Sequence, residues 1–597
     1  MSYLHINNKQ YKFTQGKSLL SIIQENNLGM ESPCGGKGTC GKCKIKIIDG
    51  NINDLTQEEL RFLNEEEIRN NIRLGCLVYP KEDLKVEFIS NEVQKHKILT
   101  EGYMPDFKKS PVLTKKVYKL NKPTLENNLS LEDILNSEGI KINNNYQALI
   151  ALPSIFENDE CSVVYLDDKL IGIECRDTSE HLYSIALDIG TTTVVASLID
   201  LNRQCEIDCE SDINPQKEYG LDVLSRINFC KINKNGLDIL NKVLIDCIND
   251  LINKLCKKNN INKENIYELA VAANTTMMHT LIKINPESIG RAPYSPVFLS
   301  GKSINANDLG INISSFGKVY LLPGVSSYIG ADIVAGVCVC DLQKTDKNIL
   351  FIDIGTNGEI VLSKKSNLTS CSCAAGPALE GMNISCGMRA GDGAIENIKI
   401  GELIEKKVIG NKQPKGICGS GIIDAISEMA RLKIIGKTGR IQKRESIESD
   451  DTLKHLSENI VDENKKRKFI LDINNPILAI TQEDIRQVQL AKGAILSGFY
   501  ALLKTMDIDI KSLDEVIIAG QFGKHLSVDS LVGVGIIPKE LKDKIKYIGN
   551  SSKTGAIMTL LSKDIRYEME KIARDISYCE LSTEEGYERL FTDCLKF

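Results

Sequence analysis

The tetrapeptide Asp-Ile-Gly-Thr occurs twice in this chain, at residues 188–191 within SIALDIGTTTVVAS and at residues 353–356 within LFIDIGTNGEIVL. An apolar run enters each copy and an apolar or β-branched run leaves it, which predicts strand, tight glycine turn, strand. Gly190, Gly355 and Gly358 let backbone N–H groups approach an anion, while Thr191, Thr192, Thr193, Thr356 and Asn357 add polar side chains. Asp188 and Asp353, at the end of the first strand of each hairpin, suit magnesium held through water. Two phosphate hairpins predict a duplicated domain closing on a nucleotide. The copies are unequal, because Asn357 and Glu359 stand where the first has Thr192 and Val194.

Residues 1–90 predict a different unit. Cys34, Cys40 and Cys43 are spaced C-x5-C-x2-C among Gly35, Gly36, Gly38 and Gly41, and Cys76 follows after 32 intervening residues. Three thiolates on one glycine-rich loop and a fourth from a distance are what a 2Fe-2S cluster requires. Zinc knuckles use two C-x2-C pairs, and Cys76 has no such neighbour. Alternation over residues 3–13, a short helix over 18–26 and strands at 44–48 and 84–89 fit a β-grasp ferredoxin. Most of the other 15 of the 19 cysteines read as small core residues in a reducing compartment.

With 74 basic against 80 acidic side chains, no overall positive field calls for nucleic acid or an anionic membrane. No run approaches the roughly 18 uninterrupted apolar residues of a membrane span, and the first residues lack a leader pattern, so the expectation is a cytoplasmic protein.

Between these units, residues 91–111, with Gly102, Pro105 and Pro111, read as a linker that lets the cluster domain move. Residues 112–183 read as a small middle domain with strands at 116–120, 148–152, 162–166 and 169–174 and a helix at 130–136. The ATPase region is expected over residues 184–597. Within it, His279 reads as a satisfied core histidine, and Asp332 fits a helix N-terminus and a water-positioning role equally well. The glycine-dense stretch after residue 370 suits a loop against a partner or ligand, and residues 433–468 a peripheral insertion. Near the carboxyl end a strand runs into Gly520, Gln521, Phe522 and Gly523, where backbone can approach a flat or anionic ligand.

The two hairpins, the GICGSG connection and the AGQFG turn resemble the superfamily of acetate and sugar kinases, Hsp70 and actin. With the ferredoxin in front, and with LEGMNISCGMRAGDGAI and TQEDIRQVQLAKGAI, the chain resembles the reductive activators of corrinoid enzymes. That resemblance implies a multidomain α+β and α/β protein: β-grasp 2Fe-2S ferredoxin, linker, small middle domain and a duplicated actin-like ATPase, a fold that often forms homodimers. It implies a 2Fe-2S cluster, ATP and magnesium, and reduction of cobalt(II) to cobalt(I) in the corrinoid protein of a methyltransferase system, with electrons from an external low-potential donor. Asp188, Thr191, Asp353 and Thr356 would then hold phosphate and magnesium, and the late glycine turn would face adenosine. The loop over residues 381–393 would meet the partner, and its polarity and position suggest Ser385 as a hydroxyl near cobalt. Three rivals are an activator of radical acyl-CoA dehydratases, a redox-sensing Hsp70-like remodeller and a small-molecule kinase. The first type lacks a fused two-iron ferredoxin, and the last leaves that domain unexplained.

Overall fold

The computed structural model describes residues 2–6, 9–26, 28, 30, 32, 36–38, 41–89, 100–126, 128–142, 145–463, 466–520 and 526–597. Period-two alternation builds its first sheet: Ser2–Ile6 (β1) buries Leu4 and Ile6 and pairs antiparallel with Lys9–Phe13 (β2). Lys44–Asp49 (β3), Ile72–Leu74 (β4) and Leu84–Phe88 (β5) complete the order β2-β1-β5-β3-β4. The Ser18 side chain accepts from Ser21 N–H and starts the helix Leu19–Glu25, whose Leu19, Leu20, Ile22 and Ile23 enter the core of this unit.

Leu113–Lys119 (β6), Glu160–Leu166 (β7) and Lys169–Cys175 (β8) form an antiparallel three-stranded sheet packed with the helices Leu131–Ser137 and Tyr146–Ile155. Residues 148–152, expected as strand, lie in the second helix. Their apolar run fits either period, and Asn145, accepting from Ala148 N–H, selects the helix. The linker also differs from a free tether over its second part. Asn550 N–H donates to Glu101 O at 3.0 Å, Tyr103 N–H to Ile548 O at 2.8 Å and Ser110 N–H to Leu561 O at 2.8 Å, so residues 101–110 run pinned along the ATPase. Residues 90–99 lie outside the described residues.

Each Asp-Ile-Gly-Thr hairpin lies within its own six-stranded sheet. The first contains Tyr183–Ile189 (β9), Thr193–Asp200 (β10), Cys205–Ile213 (β11), Ile266–Ala273 (β12), Lys302–Asn305 (β13) and Lys318–Leu321 (β14), ordered β11-β10-β9-β12-β14-β13. The second contains Asn348–Ile354 (β15), Gly358–Lys364 (β16), Asn367–Cys373 (β17), Glu515–Ala519 (β18), Ile545–Gly549 (β19) and Ser577–Tyr578 (β20), ordered β19-β18-β15-β16-β17-β20. In both, the motif strand pairs antiparallel with the next strand and parallel with a later one, β12 or β18. Duplication is therefore visible in topology as well as in sequence.

The halves are interwoven at the carboxyl end. After β19, the helix Ser551–Leu561 crosses to pack on β9, β12 and the helix Ala331–Val339. Ile565, Met569 and Ile572 of the next helix, Lys563–Asp575, join the same core, and the chain then returns to the second sheet through β20. Residues 433–468 are more than a peripheral insertion, since Ile434, Ile435, Ile441, Ile447 and Leu456 enter the second core. Among the described residues no helix is long and apolar enough to cross a membrane.

Candidate functional site

The two hairpins face one cleft. Asp188, Gly190, Thr191, Thr192 and Thr193 line it from one half, and Asp353, Gly355, Thr356, Asn357 and Gly520 from the other. The turns differ in length: Ile189 pairs with Val194, whereas Ile354 pairs with Gly358. The register therefore places Glu359 opposite Asp353 and Val195 opposite Asp188, one residue away from the match that aligning the two sequences gives. Gly358 packs against the helix Gln482–Thr505, where an added Cβ would meet Ile495 at 3.0 Å, and it does not line the cleft. Gly520 has φ +87°, and a Cβ there would lie 2.5 Å from Asp353 Oδ1, so only glycine fits beside that carboxylate. Gln521, Phe522 and Gly523 lie outside the described residues.

The first hairpin is held from several sides. Asn214 Nδ2 donates to Gly190 O at 2.8 Å, Asn274 Nδ2 to Thr191 Oγ1 at 3.2 Å, and the buried Arg226 guanidinium to Thr191 O. Asn550 Nδ2 and Ser552 Oγ donate to Asp188 Oδ2 and Oδ1 at 2.7 and 2.8 Å. Desolvation raises the Asp188 carboxyl, and these two bonds and Lys553 oppose the rise. Desolvation followed by the charge of Asp188 pushes Asp332 up to about 7, and desolvation with the charges of Asp332 and Asp353 raises Glu359 well above the usual glutamate range. Asp353 is also pushed up to about 7, by desolvation and by Asp332 and Asp188.

Such an accumulation of carboxylates calls for a divalent cation. No three acidic, histidine or cysteine groups among the described residues converge to hold a metal directly. Near the first hairpin, Arg389 Nε and Nη1 are buried without an acceptor among the described residues, and Arg226 lies within electrostatic reach of both Arg389 and Glu380. Sequence reasoning missed Glu380, Asn550 and Ser552, which also line the cleft, since none belongs to a repeated motif. Glu380 accepts from Thr192 Oγ1 at 3.0 Å and from Thr356 Oγ1 at 2.6 Å, joining the two hairpins.

Three further expectations have a definite place. The His279 ring meets Thr275 O at 2.7 Å through Nδ1, accepts from Val297 N–H at 3.0 Å through Nε2 and stacks on Phe298, as a satisfied core histidine does. Asp332 lines the cleft in the first turn of its helix, which is compatible with either reading. Ser385 is exposed and is not among the residues that line the cleft. Its N–H and Oγ donate to Asp484 Oδ1 at 2.7 and 3.1 Å, on the capping box that opens the helix Gln482–Thr505.

In the amino-terminal unit, Lys44 pairs with Leu74 in the β3–β4 ladder, and Gly75 N–H donates to Cys43 O at 2.8 Å. This brings the segment carrying Cys76 beside Cys43, and both residues are buried. Cys34 and Cys40 lie outside the described residues. The described pair fits a cluster wrapped by one loop and closed from a neighbouring strand. Glu59, fully buried, supports that strand by accepting from Arg73 Nε at 2.8 Å and from Leu74 N–H at 3.0 Å.

Fold and cleft together define an iron–sulfur ferredoxin joined to an ATPase of the actin and Hsp70 class. Family models agree: a 2Fe-2S iron-sulfur cluster binding domain over residues 4–81, the RACo middle region over 183–345, and the C-terminal ASKHA domain of RACo over 347–597. The corrinoid activation enzyme RamQ of Eubacterium limosum is 30% identical over 589 residues, covering 96% of this chain and 95% of that one. A [Co(II) methylated amine-specific corrinoid protein] reductase of Methanosarcina barkeri is 25% identical over 69% of this chain and 76% of its own. The solved structure of a reductive activator for corrinoid, iron-sulfur protein matches 100% of this chain and 98% of its own at TM-score 0.72 and 33% identity. The chain belongs to the family of ATP-dependent reductive activators of corrinoid proteins, and carries a 2Fe-2S domain and an ATPase that uses ATP with magnesium.

Proposed function

We propose that this protein restores an oxidised corrinoid protein of a methyltransferase system, reducing its cobalt(II) to cobalt(I) by one electron at the expense of ATP hydrolysis. The observation that carries the proposal is the presence, in one chain, of a cysteine-bearing ferredoxin unit and a carboxylate-lined cleft between two phosphate hairpins. The names of the relatives that match over most of the chain support the same substrate.

Cys34, Cys40, Cys43 and Cys76 would hold the cluster, which supplies a one-electron carrier of low potential. Gly190, Thr191, Thr192, Thr193, Gly355, Thr356 and Asn357 would receive the phosphates. Asp188 and Asp353 would orient magnesium through water, and Gly520 to Gly523 would face the nucleotide. Cobalt(II) is hard to reduce, and a nucleotide state that binds the corrinoid protein in a more reducible geometry shifts that equilibrium by its differential affinity. The loop over residues 381–393 would meet the partner, with Ser385 displayed at its surface. An external low-potential donor would reload the cluster. We propose boundaries near residues 90, 111 and 183, and a homodimer as the assembly.

The test is anaerobic mixing of the full chain with reductant, magnesium, ATP and a cobalt(II) corrinoid protein, following the cobalt spectrum. Cobalt(I) is expected only when ATP is present. ATP-independent reduction, or none with any corrinoid protein of the host, sinks the reading.

A further inference from the structure

Glu380 ends the short 3-10 turn Pro377–Glu380 and begins the loop that runs to residue 393. Its two carboxylate oxygens take one hydroxyl from each half: Thr192 Oγ1 at 3.0 Å on Oε2 and Thr356 Oγ1 at 2.6 Å on Oε1. A threonine hydroxyl has one proton to donate. A phosphate oxygen arriving at either hairpin is another anionic acceptor, and it competes with Glu380 for the same protons while repelling its charge.

The carboxylate is wired into the loop behind it. Gly381 has φ +77°, and a Cβ there would lie 2.5 Å from Met388 O, so residues 381 and 388 are in close backbone contact. Met388 N–H donates to Ile417 O and Ile417 N–H to Cys386 O, both at 2.9 Å. Between them Ser385 is bonded to Asp484 at the head of the helix Gln482–Thr505. Glu380 is therefore joined to this segment through contiguous packed backbone.

We propose that Glu380 is a positioning residue that reads the terminal phosphate of the nucleotide: it occupies the two hairpin hydroxyls until that phosphate takes them, and its release frees the loop over residues 381–393. This rests on the reading of the cleft as the phosphate site. ADP leaves at least one of the two hydroxyls with Glu380, so the loop responds to ATP and not to ADP. No covalent step is involved.

Hydrogen exchange and nucleotide affinity of the full chain test this, with AMP-PNP and ADP, each with magnesium, as probes. In the wild type, peptides covering 381–393 are expected to exchange about tenfold faster with AMP-PNP than with ADP or without nucleotide. In E380Q, which keeps one acceptor oxygen but no charge, the loop should be fast under all three conditions. AMP-PNP affinity should rise about tenfold and ADP affinity by less, so that the ratio of the two shifts toward AMP-PNP. T192V removes a donor from the other half and should also speed the loop without nucleotide, which guards against misfolding of E380Q. Wild-type loop exchange in both variants, with an unchanged ratio of AMP-PNP to ADP affinity, overturns the proposal while leaving the cleft reading intact. No protection of residues 353–358 by either nucleotide in the wild type overturns both.

Discussion

Asn550 Nδ2 donates to Asp188 Oδ2 at 2.7 Å across 362 residues of sequence. The bond joins the end of the second sheet, at β19, to the first Asp-Ile-Gly-Thr hairpin, and Asn550 N–H in turn donates to Glu101 O. Replacing Asn550 by Ala leaves a carboxylate oxygen deep in the cleft without its donor, which is expected to cost about 1–3 kcal/mol of stability. Nucleotide affinity should fall with it. Urea unfolding and nucleotide titration of N550A measure both, and a variant unchanged in both would separate this bond from the site.

Asp353 is pushed up to about 7 by desolvation and by two neighbouring aspartates. Asp353→Asn removes that repulsion, so the protein without magnesium should gain about 1–2 kcal/mol at pH 8. On the proposed role of Asp353 in orienting magnesium, ATP hydrolysis should fall by about two orders of magnitude. The cluster's visible spectrum should stay the same.

The raised carboxyls of Asp332 and Asp353 fix a pH dependence. A group whose pKa rises on folding contributes stability below its unfolded value and loses it as pH rises through the folded value. Without divalent cations, stability should therefore decline between about pH 4 and about pH 7 from these groups. Magnesium favours the ionised forms, so its binding near pH 7 should release on the order of one proton. Calorimetry in buffers of different ionisation enthalpy counts it, and D332N should reduce the number.

Cys76→Ser should remove the cluster's absorbance and electron transfer while leaving ATP affinity within about twofold of the wild type. Parallel loss of both would contradict separate units.

Glu59 and Arg73 form a buried pair beside the strand that leads to Cys76. Burial opposes ionisation of Glu59, but the Arg73 guanidinium and the N–H groups of Thr56 and Leu74 outweigh it and hold the carboxyl below the usual glutamate range. Its stabilisation is present above the unfolded value and is lost as pH falls through the lower folded value. Glu59→Gln leaves a buried guanidinium uncompensated, and should cost the ferredoxin unit about 3–5 kcal/mol. Cluster bleaching at lower urea and at less acidic pH than in the wild type is the readout.

The 2Fe-2S domain and the two Asp-Ile-Gly-Thr hairpins were legible because local chemistry dictates their signatures: cysteines spaced on a glycine-rich loop, and a glycine turn after a strand end. The strands flanking each motif were legible for the same reason. A run such as residues 148–152 was not, since its apolar pattern suits strand and helix alike and one asparagine decided it. By itself, then, the sequence determined that the chain carries a cluster unit and a duplicated nucleotide domain. Only the tertiary structure decided that Glu380 joins Thr192 to Thr356, that Asn550 holds Asp188, and that Glu359 stands opposite Asp353. These contacts come from sheet register and from a helix that crosses between halves, and no local run of residues encodes either.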